Sequence, residues 1–348
     1  MKTRRRRMID EDRPDRFHET IEAVTEDGQT LIITRKMPEA KDDKGIPVVL
    51  VHGLGQNRYS WQTADMSFVD YLVSRGMDVY VAELRGHGLS RLAGSEHPAS
   101  FSEYVKLDMP AILAAVHKRA GSPPFFCGHS LGGTIGYALD PEQQEHLRGF
   151  VFISSPSNFG KGLFMLRAMS MFLVIAHKVS ALRAVDLMDE HTAFRVDLLG
   201  KALGLGLDFF DSRACPPFYR LWSPGSMDRD TLEERVTKGF DQTSLEMIKM
   251  MIRWAAKGRF IDEQGRDSYE RNLKAKTLPA LFVVGDNDAV VPAASVRPGF
   301  EMISSRDKTW KVFNAKDNRV HWGHLDLVLG REAPVEVWSY IAQWMEKR

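Results

Sequence analysis

The sequence predicts an α/β protein: a doubly wound, mostly parallel sheet with an inserted helical cap. Three observations carry this. Short continuous apolar runs recur along the chain, at Ile46–Val51 (IPVVLV), Asp78–Leu84 (DVYVAEL), Phe125-Phe126-Cys127, Phe150–Ile153 (FVFI), Pro279–Val284 (PALFVV) and Thr309–Phe313 (TWKVF). Such runs suit strands covered on both faces. Helix-patterned stretches alternate with them, as βα units require. The alternation then stops between 157 and 276. That span is far longer than an ordinary connection and mostly helical in pattern, so it reads as a cap above the sheet. The organisation expected is therefore a basic tail over 1–15, a core over 16–156 and 277–348, and a cap over 157–276.

The first elements form a hairpin: Phe17–Thr25 and Thr30–Lys36 alternate apolar and polar residues around Glu26-Asp27-Gly28. Ser67–Arg75 has helical spacing, with Phe68, Tyr71 and Leu72 on one face and Gly76 as its stop. Ser102–Ala120 reads as a helix facing inward through Tyr104, Val105, Ile112, Leu113 and Val116, ended by Ser122-Pro123-Pro124. Thr134–Leu139 is helical in pattern. Pro334–Met345 reads as a C-terminal helix carrying Val335, Val337, Trp338, Ile341 and Trp344.

With 348 residues, 43% of them hydrophobic, the chain can bury a large core and still carry an extra subdomain. A formal net charge of +1 gives no reason to expect a nucleic-acid partner. Cys127 and Cys215 are too few for a disulfide framework. Arg4–Arg7 reads as a solvated tail; Met8-Ile9 then runs straight into Asp10, Glu11 and Asp12, so no secretory signal is read and a cytoplasmic protein is expected. The most apolar stretch, Gly162–Ala176, is too short to span a bilayer and is interrupted by Arg167. It is expected to bury one face in the protein or the substrate pocket, with transient contact to a lipid surface as the minor alternative.

The chemistry is concentrated in Gly128-His129-Ser130-Leu131-Gly132, a G-x-S-x-G pattern between an apolar strand and a helix-compatible segment. A serine on a tight strand-to-helix turn is lifted above the sheet, and glycines two residues to either side relieve the crowding. The helix that follows aims its first amides at the reaction centre.

Together with His52-Gly53-Leu54-Gly55, Arg85-Gly86-His87-Gly88-Leu89-Ser90, Gly285-Asp286-Asn287-Asp288 with Val291-Pro292, and Gly323-His324-Leu325-Asp326, this pattern resembles the α/β-hydrolase superfamily of serine esterases and lipases. The last motif, followed by Ala333-Pro334, is similar to the end of acid-lipase-like members. The resemblance runs from about Phe17 to the C-terminus and is weaker in the cap. It implies Ser130 as nucleophile with an acid and then a histidine following in the chain. His321 and His324 both follow the last strand; the family's histidine precedes a hydrophobic–acidic pair and begins the final helix, which favours His324. Asp286 and Asp288 share one loop, and the family places the acid three residues after the glycine, at Asp288. Some relatives carry the acid after the strand that follows the elbow, but Ser154-Ser155-Pro156-Ser157-Asn158 offers no carboxylate there.

A tetrahedral intermediate needs donors for its oxyanion. The backbone amides of Leu131 and Leu54 are expected to supply them, with His52, Gly53, Arg85, His87 and His129 as structural residues. No zinc-type His/Cys spacing or phosphate-cradling loop occurs, so neither metal nor cofactor is expected. Met and aromatic residues of the cap, Phe164 to Leu173 and then Met247, Met250, Met251 and Trp254, either pack the cap or line an apolar pocket. The expected substrate is a small-molecule ester with an apolar acyl or alcohol part. Acyl transfer, peptide hydrolysis and carbon–carbon bond hydrolysis stay open, as does a binding protein that kept the fold and lost activity. Epoxide and haloalkane hydrolases, which use aspartate at the elbow, and polyhydroxyalkanoate synthases, which use cysteine, are disfavoured by Ser130.

Overall fold

The computed structural model describes residues 18–38, 45–160, 193–194, 196–266 and 268–348. The Arg4–Arg7 tail, the Gly162–Ala176 stretch and Phe164 to Leu173 lie outside these residues.

In chain order the elements used below are β1 (His18–Val24), β2 (Thr30–Lys36), β3 (Ile46–Val51), α1 (Phe68–Ser74), β4 (Met77–Glu83), α2 (Met109–Ala120), β5 (Phe125–His129), α3 (Leu131–Ala138), β6 (Gly149–Ile153), α4 (Arg229–Lys238), α5 (Leu245–Lys257), β7 (Ala280–Gly285), α6 (Ala293–Met302), β8 (Lys308–Phe313) and α7 (Ser339–Glu346). The strands form one eight-stranded sheet in the order β1-β2-β4-β3-β5-β6-β7-β8. β1–β2 and β2–β4 are antiparallel, and every pairing from β4 to β8 is parallel. After β3 the chain steps outward to β4, then returns to the other side of β3 for β5. The order reverses at this point, and the loops at the carboxyl ends of β3 and β5 open a crevice where α/β sheets bind ligands.

Strand alternation sorts the core into two layers. Val49, Val51, Phe126, Phe150, Phe152 and Phe282 pack with Tyr104, Ile112, Leu113 and Ile135 on one face. Val48, Leu50, Phe125, Cys127, Val151 and Val283 pack with Phe68, Leu72, Trp338 and Ile341 on the other. Cys127 is buried, as a small core residue should be. Ser67 caps α1 by accepting from the Asp70 amide at 3.0 Å.

Several boundaries move for physical reasons. The helix expected from Ser102 begins at Phe101 and widens into a π-turn over Tyr104–Asp108 before α2. That turn carries Asp108 to Arg85, whose Nε donates to it at 2.6 Å. α3 starts at Leu131, three residues earlier than its pattern suggested, because Gly132 and Gly133 weaken a helix signal that tertiary packing overrides. The expected C-terminal helix divides into a π-turn over Pro334–Trp338 and α7.

Between β6 and β7 the described residues contribute several helices, α4 and α5 among them, and a short ladder of Ala193–Phe194 with Thr243–Ser244, and add no strand to the main sheet. Met247, Met250 and Trp254 are buried in the same layer as the sheet's Phe152. Trp254 meets Phe101 edge to face at 4.9 Å. These side chains fasten α5 to that layer. Among the described residues, no helix is long and apolar enough to cross a membrane.

Candidate active site

β5 ends at His129, and Ser130 turns the chain straight into α3 with φ 55° and ψ −122°. A serine rarely adopts a positive φ, so neighbours must enforce it. The Ser130 amide donates to Ile153 O at 2.9 Å, and Ser130 O accepts from the Gly133 and Thr134 amides at 3.1 and 3.2 Å. The flanking glycines are needed for space. A Cβ on Gly128 would stand 2.4 Å from Gly133 N, and one on Gly132 would stand 2.1 Å from Val51 O. The turn leaves Ser130 partly exposed. Leu131 is the first residue of α3, so its amide has no acceptor within the helix.

The loop after β3 lies against this turn. A Cβ on Gly53 would touch Ser130 Cβ at 3.1 Å, so the loop that carries Leu54 runs close to Ser130. His52 holds the loop from beneath: its Nδ1 donates to Gly53 O at 2.9 Å, and its Nε2 accepts from the Leu84 amide at 3.2 Å. That bonding needs a neutral ring, and burial pushes the His52 pKa down to about 4. Asp241, from the insertion, ties two loops together. Its amide donates to Gly55 O at 2.7 Å, and its Oδ2 accepts from the Gly88 amide at 2.7 Å. No local pattern marks this staple, whose Gly88 and Asp241 lie 153 residues apart in the chain.

Both candidate histidines pair with a carboxylate. His324 Nδ1 donates to Asp288 Oδ2 at 2.8 Å, and His321 Nδ1 donates to Asp286 Oδ2 at 2.7 Å. Burial separates them: the His324 side chain is 4% exposed and the His321 side chain 64%. Asp288 is fixed further by the amides of Val290 and Val291, which donate to its Oδ1 at 2.9 and 2.7 Å. Asp286 instead accepts from the Trp322 amide at 2.9 Å, so it braces the loop that leads to His324.

His129 links the elbow to His324. Its Nε2 donates to His324 O at 3.1 Å, and the two rings lie 4.5 Å apart. Burial, and then the nearby His324 and Arg235, hold His129 well below the ordinary histidine range, so it stays neutral. Expected as a structural residue, His129 makes a contact that joins positions 195 residues apart in the chain. The His324 and Leu325 amides both donate to Leu221 O, at 3.1 and 2.9 Å, anchoring the loop to the insertion. His324 does not begin the final helix as the resemblance implied. A short helix over Asp326–Leu329 follows it, and the final helical segment starts at Pro334.

Arg85 is structural, as expected. It is buried in bonds to Asp108, Asp27 and Glu103. His87 Nδ1 donates to Arg85 O at 2.8 Å. Ser154 lies where some relatives carry the acid; it has φ 43°, and its amide donates to Val283 O at 2.8 Å.

Fold and site together define an α/β protein with a tight strand-to-helix turn at Ser130 and a buried His–Asp pair joined to it through His129. A family described as alpha/beta hydrolase fold matches residues 46–324, and the chain belongs to that family, in its serine esterase and lipase type. Mouse Lipase member K is 24% identical to it, over 95% of this chain and 88% of its own length. Human lysosomal acid lipase/cholesteryl ester hydrolase is 25% identical, over 93% and 86%. Among solved structures, the Paleococcus ferrophilus monoacylglycerol lipase superposes with a TM-score of 0.55 at 21% identity, over 91% of this chain and 98% of its own. A soluble variant of the Saccharomyces cerevisiae monoglyceride lipase does so with 0.57 at 17%, over 94% and 96%. At such identities the structural likeness shows the fold.

Proposed function

We propose that the protein hydrolyses carboxylic esters with an apolar acyl or alcohol part, through an acyl-enzyme on Ser130. The observation that carries this is the buried His324–Asp288 bond on a loop whose carbonyl is held by His129, the residue next to Ser130. With Nδ1 committed to Asp288, the His324 Nε2 lone pair is the base left to face the nucleophile. Ser130 Oγ attacks the ester carbonyl as His324 Nε2 takes its proton, and Asp288 stabilises the imidazolium. The Leu54 and Leu131 amides hold the oxyanion. Collapse of the tetrahedral adduct breaks the bond to the alcohol oxygen, which leaves with the proton from His324. Water then attacks the acyl-enzyme by the same route and releases the acid.

Asp288, His324 and the two amides are assigned on this geometry, and the 157–276 insertion is assigned as the cap. The apolar preference is supported by the lipases among the relatives and by the greasy sequence from Phe164 to Leu173. The same stretch suits transient contact with a lipid surface. The test is hydrolysis of p-nitrophenyl esters graded from acetate to palmitate, with Ser130→Ala as the blank. Medium or long chains should be turned over and the blank should be inert. Activity confined to small charged esters would overturn the substrate class, and an active Ser130→Ala would overturn the mechanism.

A further inference from the structure

Arg235 on α4 is buried, 1% exposed, on a helix whose Leu232 and Val236 join the buried cluster that also holds Trp61 and Trp222. Its Nη1 and Nη2 have no hydrogen-bond partner among the described residues. Arg85, buried to a similar degree, is by contrast bonded to three carboxylates. A buried ion without a counter-charge is costly, and such ions are ordinarily paired. Desolvation pushes this guanidinium down to about 9, so it is still charged at neutral pH.

The surroundings are shaped to keep it there. Gly239 follows α4 with φ −86°, an ordinary helical value that does not call for glycine. A Cβ at that position would stand 2.3 Å from Arg235 Nη1, so the glycine makes room for the guanidinium. The Phe240 ring flanks it at 5.4 Å. Its charge is felt at His52 and at His129, which support the Gly53–Leu54 loop and the His324 carbonyl respectively. Trp61, 6.3 Å from His129, also has an unpartnered Nε1. A cation and an indole N–H, both unpaired among the described residues, thus lie near the loop after β3, to which the end of α4 is tied by Asn57 Nδ2 donating to Lys238 O at 2.9 Å.

We infer that Arg235 is an anion-recognition residue, taking a carboxylate carried by the ligand of this site. The chemistry fits two sources: the acid released by hydrolysis, or a carboxylate at the far end of the ester. The identity of the ligand rests on the ester-hydrolase reading, but its binding does not require turnover.

The experiment measures binding to the full-length Ser130→Ala protein by calorimetry in chloride-free buffer. The probes are hexanoate, monomethyl adipate and neutral methyl hexanoate. At least one carboxylate should bind roughly 10- to 100-fold more tightly than methyl hexanoate, the range of a charge-assisted hydrogen bond. Preference for hexanoate identifies the product, and preference for monomethyl adipate identifies the distal carboxylate. Adding Arg235→Met should erase the preference, while Arg235→Lys should keep part of it. Because Arg235→Met removes an uncompensated charge, its melting temperature should be unchanged or higher. Equal binding of all three probes, or a preference that survives Arg235→Met, would overturn the inference. The comparison of carboxylate with neutral ester on Ser130→Ala, with Arg235 intact, decides it even where an Arg235 variant fails to fold. Failure here with an active enzyme leaves the ester-hydrolase reading standing.

Discussion

Two histidine–carboxylate pairs lie within a few residues of each other, and their hydrogen bonds are almost the same length. His321–Asp286 measures 2.7 Å and His324–Asp288 2.8 Å. The first faces solvent; the second is sealed, its carboxylate carrying two further amide bonds and its histidine held against the elbow through His129. The comparison teaches that a dyad is not identified by its bond. A dry, immobile pair keeps one tautomer and one ring orientation, and its electrostatics act in a medium that screens little. The exposed pair has neither advantage, and its carboxylate works as a loop brace.

Substituting each histidine should separate the two pairs most sharply. His324→Ala is expected to lower kcat by roughly 10⁴-fold or more, while His321→Ala should stay within about twofold, since an exposed pair contributes little. Steady-state kinetics on a p-nitrophenyl ester decides it, and a large loss from His321→Ala would reverse the assignment. The carboxylates should follow with a smaller contrast. Asp288→Asn should cost roughly 10³- to 10⁴-fold in kcat. Asp286→Asn should cost under about tenfold and act through the Trp322 loop, with circular dichroism confirming that both variants fold.

Stability offers a finer contrast. Gly132→Ala would press a methyl onto Val51 O and should destabilise by about 1–3 kcal/mol, measurable by urea unfolding. The histidine beneath the loop after β3 also gives a pH signature. Folding holds the His52 pKa at about 4, below its ordinary 6.5, through burial. A depressed histidine contributes stability that is complete above pH 6.5 and is lost as the pH falls toward 4. Over that window His52 alone should remove about 3 kcal/mol. Urea unfolding at pH 7.5 and pH 5 would test this, and equal stabilities would contradict it.

Much of the fold was legible because two-faced burial writes itself as apolar runs. Each core strand was visible in this way, with ends shifted by a residue or two where pairing continues, as with Gly128 and His129 against Phe152 and Ile153. α6 was not read, since Pro298 inside it breaks the helical pattern. Ser130 was legible because the elbow is a local device with local glycines. The choice between His321 and His324 was not, since burial is a property of the fold and the residue types match. It needed the family resemblance, which favours His324 but misplaced the start of the final helix. Asp241 under the Gly55 loop, His129 against His324 and the bare guanidinium of Arg235 all depend on residues far apart in the chain, and periodicity carries no trace of them.

The most direct measurement is the rate at which a fluorophosphonate phosphonylates Ser130, followed by mass spectrometry in the wild type, His321→Ala and His324→Ala. The buried pair should control the reaction: label on Ser130 at matching rates in the wild type and His321→Ala, and almost none in His324→Ala. Rapid labelling of His324→Ala, or label on a residue other than Ser130, would contradict it.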